Sequence, residues 1–303
     1  MMHYQKELWR GQHTLTLTED AMTLRLLPER GGKAASLQWR GVELLAQPRG
    51  EAYPPLRPDM PFHEGDASGF DDVFPSMGVE ELLWQGKRVT LPDHGRLWSR
   101  PMTAEAANDR VTLRYTDVML SFAYEKQVSL TGEAVRFQYA ITNRGEAPMP
   151  CVWVCHCLLR LEPDCRFIFP QEGGVAENLI PGTALGGAGE CHSLVGDGYD
   201  FSRPPVPQSA LKFYLQAPVQ DAHCAVLYPS QGIQTHLRWD GDALPYLGFW
   251  ITTGAYRGDC NFAFEPATAY YDTVACAAKH DRLPMLAPGE TKRFWMELQP
   301  KKA

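Results

Sequence analysis

Apolar and polar residues alternate along most of the chain. The alternation runs through His13–Thr18, Met22–Leu27, Arg110–Thr116, Leu120–Leu130, Ala134–Thr142, Cys151–Leu161, Leu211–Leu215, Ala222–Tyr228, Ile233–Trp239 and Thr291–Leu298. A period of two is that of a strand with one face buried. These segments are rich in β-branched or aromatic residues and are bounded by Gly, Pro, Asn or Asp, so they predict an all-β protein. Glu19-Asp20, Thr131-Gly132-Glu133 and Asn143-Arg144-Gly145 have the chemistry of tight turns and predict antiparallel hairpins. Helical periodicity is confined to Thr273–His280, which predicts at most two turns.

Two stretches break the rhythm, Gln47–Pro75 and Gln171–Pro207, both dense in Gly and Pro and too long to be simple connectors. The first leads into Gly69-Phe70-Asp71-Asp72-Val73-Phe74-Pro75 and is expected to fold over a binding site. Neither reads as a flexible linker, since both keep apolar anchors, and nothing repeats at a fixed period. Strands from one end to the other with few short helices predict a large antiparallel β-sandwich in a single domain, residues 1–303.

The composition is 44% apolar and 21% charged, with no run near the ~18 apolar residues of a membrane span. Met1–Arg25 alternates and lacks the continuous apolar core of a secretory signal, so a cytoplasmic location is the default expectation. The net charge of −7, with no basic cluster beyond Lys301-Lys302, argues against a nucleic-acid partner. A small-molecule ligand is expected instead, with the chain a monomer or homodimer. Lys126, Arg136 and Arg144 read as exposed strand positions. Eight cysteines without a secretory signal read as reduced thiols. Cys151, Cys155, Cys157 and Cys165 surround His156, but strand alternation points His156 away from Cys151, Cys155 and Cys157. With no CxxC pair, no metal site is expected.

Candidate chemistry gathers in Leu91–Pro101, where Asp93, His94, Arg96, Trp98 and Arg100 share a segment that Pro and Gly keep out of helix. An indole stacks on the CH face of a pyranose, a guanidinium binds hydroxyls or an acidic substituent, and imidazole and carboxylate move protons. His156 interrupts an apolar strand and is either a bonded core residue or a functional one. Glu265 ends the apolar strand Asn261–Glu265 before Pro266, where a buried carboxylate must be paired or poised as a base. Asp71 and Asp72, between Phe70 and Phe74, either cap a turn or touch a ligand.

Taken in order, Gly31-Gly32, Phe70–Pro75, Pro92-Asp93-His94-Gly95 with Leu97-Trp98, His156, Leu244-Pro245-Tyr246-Leu247-Gly248-Phe249-Trp250, Phe264-Glu265-Pro266 and Pro288-Gly289-Glu290 resemble the aldose 1-epimerase (galactose mutarotase-like) family over nearly the whole chain. That resemblance implies a β-supersandwich and cofactor-free interconversion of the α and β anomers of free aldoses. It implies His156 as general acid, Glu265 as general base and His94 as a substrate-binding residue. Asp93, Asp72, Trp98, Arg100, Lys212 and Trp250 complete the expected substrate contacts.

The acid role makes a demand, because an unperturbed imidazole is only about a quarter protonated at pH 7. A nearby carboxylate or buried acceptor should therefore keep His156 charged, while Glu265 stays ionised. Two departures bear on the substrate. An Asn-Arg pair of the family is replaced by Pro75-Ser76-Met77, and a sugar-binding aspartate has no match near Ala210-Leu211-Lys212. Arg57, Arg100 and Lys212 then point to a sugar carrying an acidic substituent as one substrate class. The alternatives are a non-catalytic carbohydrate-binding or regulatory module on the same scaffold, and a glycoside hydrolase pairing Asp93 or Asp72 with Glu265.

Overall fold

A computed structural model describes residues 2–170, 174–196 and 198–303, so residues 171–173 at the head of the second irregular stretch lie outside the described residues. Among the described residues the strands form two large antiparallel sheets. The larger orders His3–Trp9, Gln12–Glu19, Met22–Leu27, Lys33–Trp39, Phe70–Val73, Val154–Cys157, Cys260–Ala267, Tyr246–Thr253, Ala210–Leu215, Val175–Asn178 and Cys191–Ser193. The smaller orders Arg166–Ile168, His223–Tyr228, Ile233–Trp239, Thr291–Lys302, Ala134–Asn143, Phe122–Thr131, Val111–Asp117 and Thr103–Ala106. The expected sandwich is therefore present. Thr273 caps the short helix Val274–Lys279 by accepting from the Cys276 N–H.

The alternating apolar positions meet between the sheets. Phe70 of the larger sheet packs edge-on to Phe137 of the smaller at 5.1 Å, Phe74 to Phe122 at 4.9 Å, and Trp153 lies 4.7 Å from Phe294. Each such ring, taken out of water, contributes about 1.5–3 kcal/mol, so these crossings fix the sheets face to face.

Three expectations are corrected. Lys126, read as an exposed strand position, is fully buried, because it faces the larger sheet and pairs with Asp72 at 2.8 Å. Asn143-Arg144-Gly145 does not close a hairpin. Asn143 Oδ1 accepts from the Gly145 N–H, and the chain leaves for Met149–Pro150, which pairs with Met285–Leu286. The stretch 171–207 is not wholly irregular, since it supplies Val175–Asn178 and Cys191–Ser193 to one end of the larger sheet. Its Gly and Pro content hid two short strands.

One row across the larger sheet positions the site. Val154 pairs with Ala267 and Leu159 with Phe262, a single register that sets His156 opposite Glu265. His156 also pairs with Asp71, and Glu265 with Gly248, which pairs with Tyr214. Directly opposed residues share a face. Asp71, His156, Glu265, Gly248 and Tyr214 thus lie in line on the face turned away from the smaller sheet.

Candidate active site

Strand alternation decides which way His156 faces. Cys155 and Cys157 join the core between the sheets, so His156 projects from the opposite face and lines a hollow of about 250 Å³. Asp93, His94, Lys212, Trp250, Glu265 and Asp272 line it too, with apolar walls from Phe62, Met77 and Leu158. A hollow of this size, below the ~300–1,000 Å³ of drug-sized sites, suits one small molecule.

The loop holding His94 is locked against the strand before it. Gly95, at φ +69°, packs so tightly that a Cβ there would lie 2.3 Å from the Phe74 carbonyl oxygen. His94 itself sits at φ +60° and donates its N–H to the Met77 carbonyl at 2.7 Å. Its ring is fixed by Asp93, whose Oδ1 is 2.9 Å from Nδ1, and by Phe62, stacked at 3.6 Å between centroids. The His94 and His156 rings meet edge to face at 4.8 Å. Phe62 comes from the first Gly- and Pro-dense stretch, which covers the hollow as expected.

On the far side, Lys212 Nζ lies 3.0 Å from Asp272 Oδ2 and 3.4 Å from Glu265 Oε2. Trp250 donates Nε1–H to Asn261 Oδ1 at 3.1 Å, which fixes its indole against the wall.

The charges differ from expectation. Burial, aided by His94, Lys212 and Lys33, holds His156 well below the usual imidazole range, and its Nδ1 is buried without a hydrogen-bond partner. The carboxylate opposite it, Asp71, is taken by Lys33 at 2.7 Å. His156 is therefore held neutral near pH 7, which corrects the expectation that a carboxylate keeps it charged. Burial pushes Glu265 up to about 7 against the opposing pull of Lys212. Burial would also lower Lys212, but Asp272 and Glu265 outweigh it and keep the ammonium charged. His94 is lowered by burial despite Asp93.

His94, Asp93, His156, Lys212, Trp250 and Glu265 come together at the hollow, whereas three expected contacts are placed elsewhere. Asp72 points into the core, being next to Asp71 on a strand and hence on the other face. Trp98 is buried behind Phe62, edge-on at 5.0 Å, and supports the loop by donating to the Asp93 carbonyl. Arg100 is held by Asp59, and the exposed Arg57 pairs with Glu64 at 2.7 Å. Neither guanidinium lines the hollow, because local carboxylates capture both. Sequence reasoning missed Asp272, Phe62, Tyr256 and Asn261. Asn261 had a signal, since it shares a strand face with Glu265; Asp272 follows Tyr270-Tyr271 with nothing to mark it.

The chain matches the family described as domain of unknown function (DUF4432) over residues 9–299. It belongs to that family. No curated protein matches it in sequence. Among solved structures, this DUF4432 member is similar to the Slr1438 protein of Synechocystis sp. PCC 6803, at 17% identity and a TM-score of 0.76, over 99% of this chain and 100% of that one. It is similar to a galactose mutarotase-like protein of Lactobacillus casei ATCC 334, at 15% identity and a TM-score of 0.71, over 95% and 100%. A galactose mutarotase related enzyme of Lactobacillus acidophilus aligns at 15% identity and a TM-score of 0.68, over 95% and 97%. The fold is that of the galactose mutarotase-like proteins, as the order of motifs along the sequence implied.

Proposed function

We propose that this protein is a cofactor-free aldose anomerase. The reading is carried by one observation, an imidazole and a carboxylate set opposite each other in the sheet register and opening on a single small hollow. In ring opening, Glu265 takes the proton of the anomeric hydroxyl, C1=O forms as the C1–O5 bond breaks, and O5 receives a proton from His156. Rotation about C1–C2 and attack of O5 on the other carbonyl face reverse both transfers. The anomers are isomers at one oxidation level, so the cycle consumes nothing.

The cycle needs one proton shared by the Glu265–His156 pair. A neutral imidazole beside a carboxyl that titrates near neutrality carries that proton count just below neutral pH, and ring opening proceeds from the form in which the shared proton has passed from Glu265 to His156. Phe62, Leu158 and Met77 offer apolar surface to the CH faces of a sugar, while His94, Asp93 and Trp250 border its hydroxyls. Among the described residues an acidic substituent finds no free cation at the hollow, because Arg57 and Arg100 lie elsewhere and Lys212 is held by two carboxylates. An uncharged free aldose is the substrate class the hollow favours.

Saturation-transfer NMR between anomer signals, run with a panel of neutral, phosphorylated and acidic aldoses, tests the reading. Acceleration of exchange for at least one neutral aldose supports it, and a purified protein that accelerates none removes it.

A further inference from the structure

Lys212 lines the hollow between two carboxylates, Asp272 and Glu265. Its strand, Ala210–Leu215, lies beside Tyr246–Thr253, with Lys212 in register with Trp250, so the side chain rises from the floor of the hollow one strand beyond the neighbour of the Glu265 strand, across Tyr246–Thr253. Its closer partner is Asp272 Oδ2, in an ion pair at 3.0 Å. Glu265 Oε2 stands at 3.4 Å and has no hydrogen bond, although it is buried. That separation leaves a strong attraction between the charges without committing the oxygen's lone pair. Gly248 closes the other side, since a Cβ there would lie 3.0 Å from Glu265 Oε2 and 2.9 Å from Tyr214 Cζ.

We infer that Lys212 and Asp272 are positioning residues for Glu265. Asp272 holds the ammonium near enough to favour the carboxylate over the neutral acid, yet far enough to leave its oxygen open to a substrate hydroxyl. The inference rests on reading Glu265 as a proton-transfer group. The charged and titratable groups around Glu265 are Lys212 and Tyr214 from Ala210–Leu215, Asp272 from the segment after its own strand, and His156 from Val154–Cys157. His94 and Asp93 face the hollow from the covering loop. Among these, Lys212 is the cation in contact with Glu265, so the two members of the clamp act on it in opposite senses. Lys212 favours the charged carboxylate, and Asp272 disfavours it, both directly and by drawing the ammonium away.

The experiment is a pH titration of the Glu265 side-chain carboxyl by ¹³C NMR in the full chain, assigned with Glu265→Gln, in wild type, Lys212→Met, Lys212→Arg and Asp272→Asn. Lys212→Met should move the midpoint up by about 1–3 units, the size expected for loss of an opposite charge within ~4–6 Å. Asp272→Asn should move it down, and Lys212→Arg should stay near wild type. In anomer exchange the basic limb of the pH profile should follow the same directions. Asp272→Asn should lower kcat with little change in KM, as the ammonium settles on the base.

Shifts of one sign in both variants, or below about 0.3 unit in both, overturn the inference; the standard is a shift of about one unit or more for a close charge. Should Lys212→Met fail to fold, Asp272→Asn and Lys212→Arg carry the same decision. The titration needs no turnover. A clamp seen by NMR in a protein that exchanges no sugar leaves the inference standing and removes the anomerase reading. Exchange with an unmoved titration does the reverse.

Discussion

Lys126 Nζ lies 2.8 Å from Asp72 Oδ2 at the centre of the sandwich, and neither side chain reaches solvent. The pair joins the two sheets, with the ammonium also 4.7 Å from the Phe70 ring and 5.0 Å from the Phe137 ring. Taking both charges out of water is costly, and their attraction together with the flanking rings offsets that cost only while both are present. Lys126→Met alone strands a buried carboxylate and should destabilise the fold by about 3–5 kcal/mol. Lys126→Met with Asp72→Leu should recover most of that loss. Urea unfolding of the three proteins checks both, and equal losses in the single and double variants would contradict the account.

His156→Ala and Glu265→Gln should each slow anomer exchange by about 10²–10⁴-fold, the usual share of a positioned proton donor or acceptor. Both side chains open on the hollow, so thermal unfolding should stay close to wild type. NMR exchange rates beside a melting curve separate lost chemistry from lost fold.

Exchange should have a bell-shaped pH profile with its optimum below about 7. Glu265 titrates at about 7, because burial raises it, and above that pH the pair loses its shared proton. His156 titrates well below its ordinary value, because burial and nearby cations disfavour the imidazolium, so on the acid side the pair gains a second proton only at low pH. Initial rates in buffers from pH 4 to pH 9 check this. A rate that climbs steadily to pH 9 is incompatible with it.

Gly248→Ala should impair catalysis more than its size suggests. The added methyl meets the Tyr214 ring and Glu265 Oε2 at 3.0 Å or less, and neither is free to retreat in a packed sheet. A stability loss of about 1–3 kcal/mol, typical of overpacking, is expected along with displacement of the carboxylate. A crystal structure of the variant with unmoved Glu265 and full activity would refute the role given to this glycine.

Neutral aldoses should be exchanged at least about tenfold faster than their phosphorylated or uronic counterparts, one factor of ten being about 1.4 kcal/mol of discrimination. Among the described residues, Asp93, Glu265 and Asp272 face the hollow against the ammonium of Lys212. Arg57→Ala should leave the rates unchanged, because that side chain is exposed and bound to Glu64. Competition experiments between sugar pairs in one tube measure the ratio directly.

The all-β class, most strand positions and the opposite facings of His156 and the cysteines were legible along the chain. All three follow from the period-two geometry of an extended backbone, which any single strand obeys by itself. The order of short motifs pointed to His94, His156 and Glu265, which line one hollow, and the Gly- and Pro-dense stretch ending at Pro75 supplies Phe62 to its wall. The fate of the charges was not legible. Alternation says that Asp71 and Asp72 face opposite ways, but not that one meets Lys33 on the open face and the other Lys126 in the core. Nor does it say that Asp59 takes Arg100, or that Asp272, sixty positions from Lys212, sets where that ammonium rests. Backbone periodicity is a local property and is written in the sequence. Which charge is desolvated, and beside which partner, depends on strands brought together across the whole chain, and only the tertiary structure decided it.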